Sequence, residues 1–507
     1  MKNTFLKVIT VIKVIIVIIC IILLTGCGNS ESVQTDSMFT ESDMEIGYDE
    51  ETATVIEFNE ESISCDDDSV NISEGTVTIA DEGTYIVSGK TDDGMIIVDS
   101  GSEDKIRIIL DGAEIQNSSH AVLYVKSADK VFITTAAGSQ NSMATTGEFV
   151  NIDENNMDAV IFSKADLTLN GAGTLDIVSA AGHGIVSKDD LVMTSGSYKI
   201  EAAKKGLSGK DSVRIADGEY TIEAGTDGIN AENEEDAELG FVYIKNGSID
   251  INAADDGIHA ETSLKIKGGS INIAESYEGL EGLTVDIDGG NIDIFASDDG
   301  INSAGGQDGS GAMGHGELTE DDFEITDGAY IKITDGKINI DASGDGIDSN
   351  GDLYITGGEI YLSGPTDNGN GIIDYAGEAS ISGGTFIAAG SKAMTQNFDS
   401  SSSQAVIFVQ LRGAANETVS VSDSEGNEII SWSPGKEYES VIISSPEIKE
   451  GNTYEITGGE SSVEVEMSGT VYSDVNGQDG LGVGGHDPGQ MGKPGEFTPG
   501  AEPENIM

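Results

Sequence analysis

The 507-residue sequence is poor in cysteine, proline and tryptophan. Two of its three cysteines, Cys20 and Cys27, lie in or just after an apolar N-terminal segment, which leaves Cys65 alone in the rest of the chain. An intrachain disulfide framework is therefore excluded, and Cys65 is predicted to be buried rather than catalytic. Only 7 prolines beside 67 glycines favour many tight turns between short strands. The single tryptophan, Trp432, argues against a flat aromatic binding platform.

Basic residues are also scarce. The 25 Lys and Arg residues face 91 Asp and Glu residues, which gives a net charge of −66 and a pI near 4.1. Binding to nucleic acid depends on Lys and Arg against phosphate, so this composition excludes a nucleic-acid partner. It favours the binding of cations. The alternative is that the acidity serves only solubility in a salty or extracellular setting.

The N-terminus predicts the compartment. Three lysines, Lys2, Lys7 and Lys13, precede the apolar run 14–24, and Leu24-Thr25-Gly26-Cys27 follows. This motif is similar to a bacterial lipobox, in which the signal peptidase cuts before the cysteine and the cysteine carries lipid. We expect a signal peptide over 1–26, lipidation at Cys27, and a protein on the extracellular face of the bacterial cytoplasmic membrane that touches the membrane only through this anchor. A plain transmembrane anchor is the alternative.

A repeated motif, Asp-Gly-Ile followed by a polar residue, organises the middle of the chain. It begins at Asp227, Asp256, Asp299 and Asp345, and looser copies begin at Lys205 and Glu278. The glycines of successive copies are 22 residues apart from 206 to 228, 22 from 257 to 279 and 21 from 279 to 300. Short units of this length cannot bury an apolar face alone, so the repeat predicts a solenoid.

A second pattern places two apolar-x-apolar pairs around a glycine, as in Leu264-x-Ile266, Gly269 and Ile271-x-Ile273. Three short strands per turn of about 22 residues predict an all-β fold, a right-handed parallel β-helix with turns stacked ~4.8 Å apart. The marker glycines are expected to adopt turn conformations closed to other residues. They are Gly196, Gly218, Gly247, Gly269, Gly290, Gly336, Gly358 and Gly384.

The pattern also predicts the domain organisation. A flexible tether over 27–53 is followed by irregular β-helix coils over 54–157, the regular β-helix over 158–399, a small C-terminal β-unit over 400–475 and a disordered Gly/Pro-rich tail over 476–507. Insertions at 231–240 and about 303–328 both leave the helix just after the Asp-Gly-Ile motif. They mark either a binding face or a corner that tolerates length.

Stacking of the motifs places acidic and amide side chains in two outward columns. Stacked carboxylates repel by roughly 1–4 kcal/mol per pair, so we expect a compensating cation, and oxygen ligands suit Ca²⁺. The alternative is that Asp-Gly only makes the turns. The predicted metal ligands are Asp227, Asn230, Asp255, Asp256, Glu278, Glu281, Asp298, Asp299, Asn302, Asp345 and Asp348.

The lipobox, the Asp-Gly-Ile motifs and the Lys205-Gly206-Leu207 coil together resemble a bacterial family of calcium-containing β-helix proteins that bind cellulose and acidic sugars, the carbohydrate-binding domain-containing lipoproteins. The resemblance covers roughly 54–470 and implies calcium sites similar to those of family 9 pectate lyases. It implies cell-wall polysaccharides as ligands, including polygalacturonate. It matches the family's acidic ligand positions to Asp255, Asp256, Asp298, Asp299, Asp345 and Asp348.

Lyases of the similar fold abstract a proton with a lysine, and Lys205 is the candidate base here. Flanking carboxylates would raise its pKa, which is the wrong direction for a base, so neutralisation of the acidic column is the preferred role. His259, Tyr277, Tyr330 and Tyr375 are the candidate sugar-contacting residues. The sequence thus predicts a monomeric, non-catalytic cell-surface protein that binds calcium and binds polysaccharides of the cellulose or polygalacturonate type. The alternatives are a calcium-dependent pectate-type lyase and a structural surface spacer or adhesin.

Overall fold

The computed structural model describes residues 38–60, 62–65, 67, 70–304 and 325–475. The predicted signal peptide, Cys27, the insertion residues 305–324 and the predicted tail after 475 lie outside the described residues. Within those ranges no helix has the length and apolarity needed to cross a membrane. The predicted parallel β-helix is confirmed: the described residues wind through about 11 turns of a parallel β-solenoid and include almost no helix.

Each turn contributes a strand to three faces, and four long strands serve two or three faces in succession. Face one is formed by the end of β7 (Lys105–Asn117), β10 (Gln140–Thr145), β13 (Thr174–Ser179), β16 (Ser197–Ala202), β19 (Glu219–Ala224), β22 (Ser248–Ala253), β24 (Ser270–Glu275), the ends of β25 (Leu280–Ala296) and β27 (Tyr330–Ala342), β30 (Glu359–Ser363) and β33 (Thr385–Gly390).

Face two carries the Asp-Gly-Ile motifs. It is formed by β6 (Met95–Asp99), β8 (Leu123–Ser127), β11 (Ala159–Ser163), β14 (His183–Ser187), β17 (Leu207–Gly209), β20 (Ile229–Ala231), the starts of β23 (Ile258–Ile266) and β25, β26 (Ile301–Ser303), β28 (Ile347–Ser349) and β31 (Ile373–Tyr375).

Face three completes each turn. It is formed by the start of β7, β9 (Lys130–Thr135), β12 (Asp166–Gly171), β15 (Asp190–Met193), β18 (Ser212–Ile215), β21 (Phe241–Ile244), the end of β23, the middle of β25, the start of β27, β29 (Asp352–Ile355) and β32 (Ala379–Ile381).

The turns stack in register, so the motif isoleucines form a buried ladder. Ile229 pairs with Ile258, which pairs with Leu280, and the ladder continues through Ile301 and Ile347, all fully buried. The corner between faces three and one is made by the marker glycines, whose φ angles lie between 83° and 128°. Side chains with a Cβ are strained there, which confirms the predicted role of these glycines.

Antiparallel strand pairs lie at both ends of the solenoid and cover its last coils. At the N-terminal end β1 (Thr54–Asn59) pairs antiparallel with β2 (Ser62–Cys65), and β3 (Val70–Ser73) pairs antiparallel with β4 (Thr76–Ile79). The next strand, β5 (Gly83–Thr91), pairs parallel with β1 and with β7. The C-terminal strands are β34 (Val406–Gly413), β35 (Val419–Asp423), β36 (Glu428–Trp432), β37 (Tyr438–Ser444), β38 (Thr453–Gly458), β39 (Ser461–Glu466) and β40 (Val471–Ser473). Here β37 pairs antiparallel with β33, and β35, β36, β38 and β39 form a second, four-stranded sheet.

A short helix, α1 (Glu41–Met44), docks on face three although it lies in the segment predicted as a flexible tether. Its Asp43 is only 1% exposed, lies 2.7 Å from Lys130 Nζ and accepts a 2.6 Å hydrogen bond from the Thr168 hydroxyl. These contacts hold a carboxylate in the protein interior, so residues around Asp43 are part of the folded domain. The sequence carries no local sign of this docking because the partners lie more than 80 residues away.

Candidate functional site

The Asp-Gly-Ile motifs stack at the corner between faces one and two. The glycine N–H of each coil donates to the carbonyl of the acidic residue in the next coil, from Gly228 to Asp256 through to Gly300 and Asp345, at 2.9–3.0 Å. These bonds align the first column, which consists of Asp227, Asp256, Glu278, Asp299 and Asp345. Strand pairing aligns the second column, which consists of Asn230, His259, Glu281, Asn302 and Asp348.

The column side chains are more buried than outward projection would suggest. Seven of them, at positions 227, 230, 256, 259, 278, 281 and 302, are between 1% and 9% exposed. Coils stack at about 4.8 Å, so each side chain covers its neighbours on both sides. Burial removes water from the carboxylates and strengthens their repulsion. The groups that surround the carboxylates differ from one end of the columns to the other.

At the N-terminal end a lysine neutralises the first column. Lys205 Nζ lies 3.2 Å from Asp227 Oδ2 and 3.1 Å from Glu232 Oε2, a residue of the 231–240 insertion. Burial alone would lower the pKa of Lys205, but the two carboxylates raise it above its usual value. Lys205 therefore stays protonated at neutral pH and is unsuited to proton abstraction.

In the middle of the columns a histidine supplies the positive charge. His259 Nδ1 contacts Glu281 Oε2 and lies 3.4 Å from Asp256 Oδ2. Burial opposes its charge, but the hydrogen bonds to the two carboxylates raise the pKa of His259 well above its ordinary value. The ring of His259 is thus engaged within the columns instead of being presented to a ligand. Neighbouring Glu278 accepts a 2.9 Å hydrogen bond from the Asn302 amide.

At the C-terminal end three carboxylates of successive coils come together. Oxygens of Asp299, Asp345 and Asp348 all lie within 4.8 Å of one another. Burial, and then the charges of Asp348 and Asp345, raise the pKa of Asp299 well above its usual value. Burial likewise raises the pKa of Asp345 to about 7. The sequence has no Lys or Arg over 268–331 or 338–391, the stretch that builds this cluster. We call these three residues the C-terminal acidic cluster.

Gly344 allows the carboxylates beside this cluster to pack directly against the backbone. A Cβ built on Gly344 would lie 2.3 Å from Asp298 Oδ1 and 2.3 Å from Asp299 Oδ1, so both carboxylates point to the volume that a side chain would fill. Tyr277 stands next to them, and after burial the Asp298 carboxylate is the main cause that raises its pKa. Asp298 and Tyr277 therefore border the C-terminal acidic cluster.

The donor chemistry of the cluster fits calcium. Four carboxylates, from Asp298, Asp299, Asp345 and Asp348, converge on one region, and Ca²⁺ takes six to eight oxygen ligands in irregular geometry. A zinc site would need nitrogen or sulfur ligands, and the cluster offers only oxygen. Carboxylates whose pKa is raised by burial and by neighbouring carboxylates are also the groups that a divalent cation stabilises most.

Two predicted sugar-contacting residues use their hydroxyls in hydrogen bonds within the protein. The Tyr330 hydroxyl donates to Asp286 Oδ2 at 3.0 Å on face three. Tyr375 is 8% exposed, and its hydroxyl donates to the Asn397 carbonyl at 2.7 Å. Tyr375 is therefore too buried to offer a ring face to a sugar. The predicted ligand Asp255 is half-buried one position before the first column.

Sequence reasoning missed two acidic features. Asp374 pairs with Asp348 in the next coil and extends the second column, but its local sequence, Ile372-Ile373-Asp374, lacks the Asp-Gly of the motif. A separate cluster joins Asp166, Asp189 and Asp190 at the start of face three. Arg214 pairs with Asp190 there, so this cluster has an internal cation. Alignment of the coils by their core residues would have shown both features.

Comparison with known proteins gives matches over the N-terminal and middle coils. Residues 73–319 match the family model of carbohydrate-binding domain-containing proteins. A curated carbohydrate-binding domain-containing protein of Acetivibrio thermocellus is 34% identical over 182 residues, which are 35% of this chain and 60% of that protein. The chain thus spans about 60% of the length of this relative.

Among solved structures the chain is similar to a polysaccharide lyase-like protein from C. thermocellum, determined as a gadolinium derivative. The identity is 36%, the match covers 44% of this chain and 91% of that chain, and the TM-score is 0.42. The resemblance predicted from the repeat is confirmed by the family match over 73–319.

Proposed function

We propose that this chain, whose residues 73–319 match the family model of carbohydrate-binding domain-containing proteins, is a calcium-dependent polysaccharide-binding protein that does not cleave its ligand. The ligands are cell-wall glycans of the cellulose or polygalacturonate type. The observation that supports calcium is the C-terminal acidic cluster, three carboxylates whose oxygens lie within 4.8 Å of one another. The protein acts as a monomer at the outer face of the membrane, anchored at Cys27.

The chemistry of an acidic ligand explains how a chain with a charge of −66 could hold it. When bound, calcium supplies positive charge and open coordination positions, which a uronate carboxylate can fill. Asp298, Asp299, Asp345 and Asp348 would hold the ion. Tyr277 borders the cluster and offers a ring face and a hydroxyl to the sugar.

We propose that the protein is not a lyase because of the state of Lys205. Its ammonium is bonded to Asp227 and Glu232, and these carboxylates raise its pKa, which disfavours the neutral amine that a base requires. Lys205 also lies several coils from the C-terminal acidic cluster, with the coils of Asp227, Asp256 and Glu278 between them.

Retention on immobilised polygalacturonate and on cellulose tests the proposal. On polygalacturonate we expect retention of the full chain in millimolar calcium, its loss in EGTA, and its loss in Asp299→Asn but not in Asp335→Asn. Asp335 makes an exposed Asp-Gly turn outside the columns, so it controls for the turn itself. Ultraviolet-absorbing unsaturated product from polygalacturonate would instead identify a lyase. Calcium stabilisation without retention on any glycan would favour a structural spacer.

A further inference from the structure

A cleft lies between face one and the C-terminal β-unit, apart from the acidic columns. It has a volume of about 410 Å³. Its floor is the outward surface of the last face-one strands, and its wall is the segment Trp432–Gly435 at the end of β36. It shares no residue with the acidic columns, although Phe295 on its floor precedes Asp298 by three positions.

Three aromatic side chains line this cleft. Phe295 is 47% exposed, and Tyr361 and Trp432 are half-buried with ring centroids 6.2 Å apart at an angle of 45°. Large aromatic rings left partly open to water in a concave site are a frequent feature of ligand-binding clefts. The Trp432 indole is the single tryptophan of the chain, and it stands at the wall of the cleft.

A ladder of amides and carboxylates leads to these rings along the floor. Strand pairing aligns Asp250, Asn272, Asp293, Asn339 and Tyr361 in one outward column. The Asn339 amide donates to Asp293 Oδ1 at 2.6 Å, and the Asn272 amide donates to Asp250 Oδ1 at 3.1 Å. Neighbouring amide and carboxylate groups offer both donors and acceptors at the coil spacing of ~4.8 Å, which suits the hydroxyl pairs of a sugar chain.

The wall of the cleft is held in place by contacts to the solenoid. The Gly435 N–H donates to the Ser363 hydroxyl at 3.0 Å. Lys436 Nζ donates to the Ala342 carbonyl and lies 2.6 Å from Asp341 Oδ1. Because the wall is fixed, a ligand would meet an already formed site and bind without ordering it.

We propose that this cleft binds a neutral, extended pyranose chain of the β-linked glucose or xylose class, independently of calcium. Rings with equatorial substituents expose C–H bonds on both faces, and these pack on aromatic rings such as Phe295 and Trp432. Acidic sugars are disfavoured because the Asp293 carboxylate lines the floor. The inference rests on carbohydrate binding as the proposed function but not on the calcium site.

Fluorescence of Trp432 tests the proposal, because no other tryptophan contributes to the emission. The full chain is titrated in EGTA with cellohexaose, xylohexaose and, as the acidic comparison, a hexagalacturonate. We expect a saturable change in Trp432 emission with a neutral oligosaccharide and none with the acidic one. Phe295→Ala should weaken the affinity about tenfold, through loss of one stacking contact.

Val178→Ala is the matched control. Val178 is 42% exposed on face one and projects outward several coils from the cleft. Its removal should leave the neutral titration unchanged, as should Asp299→Asn at the acidic cluster. Phe295 is exposed, so Phe295→Ala should also keep the wild-type melting temperature.

Two results would overturn the proposal. Constant Trp432 emission with both neutral oligosaccharides would mean that the aromatic contact only packs the C-terminal unit on the solenoid. Neutral binding seen by calorimetry that leaves Trp432 emission and the Phe295→Ala affinity unchanged would place the sugar elsewhere. The calcium proposal can fail independently, since its readout is calcium-dependent retention and its variant is Asp299→Asn.

Discussion

Replacement of Asp299 by asparagine should have opposite effects on stability with and without calcium. The carboxylate oxygens of Asp299, Asp345 and Asp348 lie within 4.8 Å of one another. At that distance one pair of charges repels by about 1 kcal/mol in water and about 3.5 kcal/mol at an effective dielectric constant of 20. Asp299→Asn removes two such pairs, worth about 2–7 kcal/mol when all three groups are ionised, and partial protonation favours the lower end.

The variant is close to isosteric. Asp299 Oδ1 accepts a 2.6 Å hydrogen bond from the Asp345 N–H, and the asparagine carbonyl can accept the same bond. In EGTA at pH 8 we therefore expect the variant to melt about 2 °C or more above the wild type, because a chain of this size gains roughly 1 °C per kcal/mol. In calcium the order should invert, since the wild type gains about 2.7 kcal/mol at 100 times Kd.

The pH dependence follows from the raised pKa of the cluster. Asp345 titrates near 3.8 when unfolded and at about 7 in the folded protein. A raised carboxyl pKa means that the folded state holds its proton longer, so stability in EGTA falls as pH rises from about 4 to about 7. Calcium binds the ionised form, so its stabilising effect should grow over the same interval.

Thermal unfolding of the wild type, Asp299→Asn and the turn control Asp335→Asn, each in EGTA and in millimolar calcium at pH 5 and pH 8, measures all of these effects. Equal melting of the wild type in EGTA and calcium at both pH values would refute the reasoning. The Asp-Gly motifs would then serve only as turns.

Three further changes probe the same fold. Gly344→Ala should abolish the calcium-induced shift in melting temperature, because its Cβ would lie 2.3 Å from Asp298 Oδ1 and Asp299 Oδ1. Gly47→Ala is the control, because nothing lies within 4 Å of the added Cβ there. A calcium-induced shift that persists in Gly344→Ala would place the ion elsewhere. Lys205→Met should destabilise the protein by about 2 kcal/mol in urea unfolding, because Asp227 is left buried without its ion pair. Lys205→Arg keeps the charge and should not destabilise the protein. An unchanged urea midpoint in Lys205→Met would show that the ion pair contributes nothing to stability. Asp43→Asn should lower stability at pH 7 by about 2–3 kcal/mol. Burial would raise the pKa of Asp43, but its hydrogen bonds to Lys130 and Thr168 outweigh burial and lower the pKa to about 2. The stability difference between the wild type and Asp43→Asn should therefore be full above pH 4 and disappear as pH falls through about 2. A stability difference that persists below pH 2 in acid unfolding would contradict this assignment.

The sequence by itself determined the solenoid and the alignment of its columns. An Asp-Gly-Ile motif at a spacing of 21 or 22 residues can bury its isoleucine only by stacking, and stacking fixes which residues share a column. The left-handed glycines at the corner of faces three and one follow from the same repeat, since each coil turns at the same position.

Only the tertiary structure decided how the columns balance their charge. Lys205 reaches Glu232, His259 lies between Asp256 and Glu281, and neither pairing is visible from motif spacing because it depends on side-chain direction and burial. The docking of Asp43 and the cleft at Trp432 join residues far apart in the chain, which periodicity does not relate. The repeat is a local property that the sequence states in each coil, whereas burial and pairing arise only when distant coils and the terminal segments pack together.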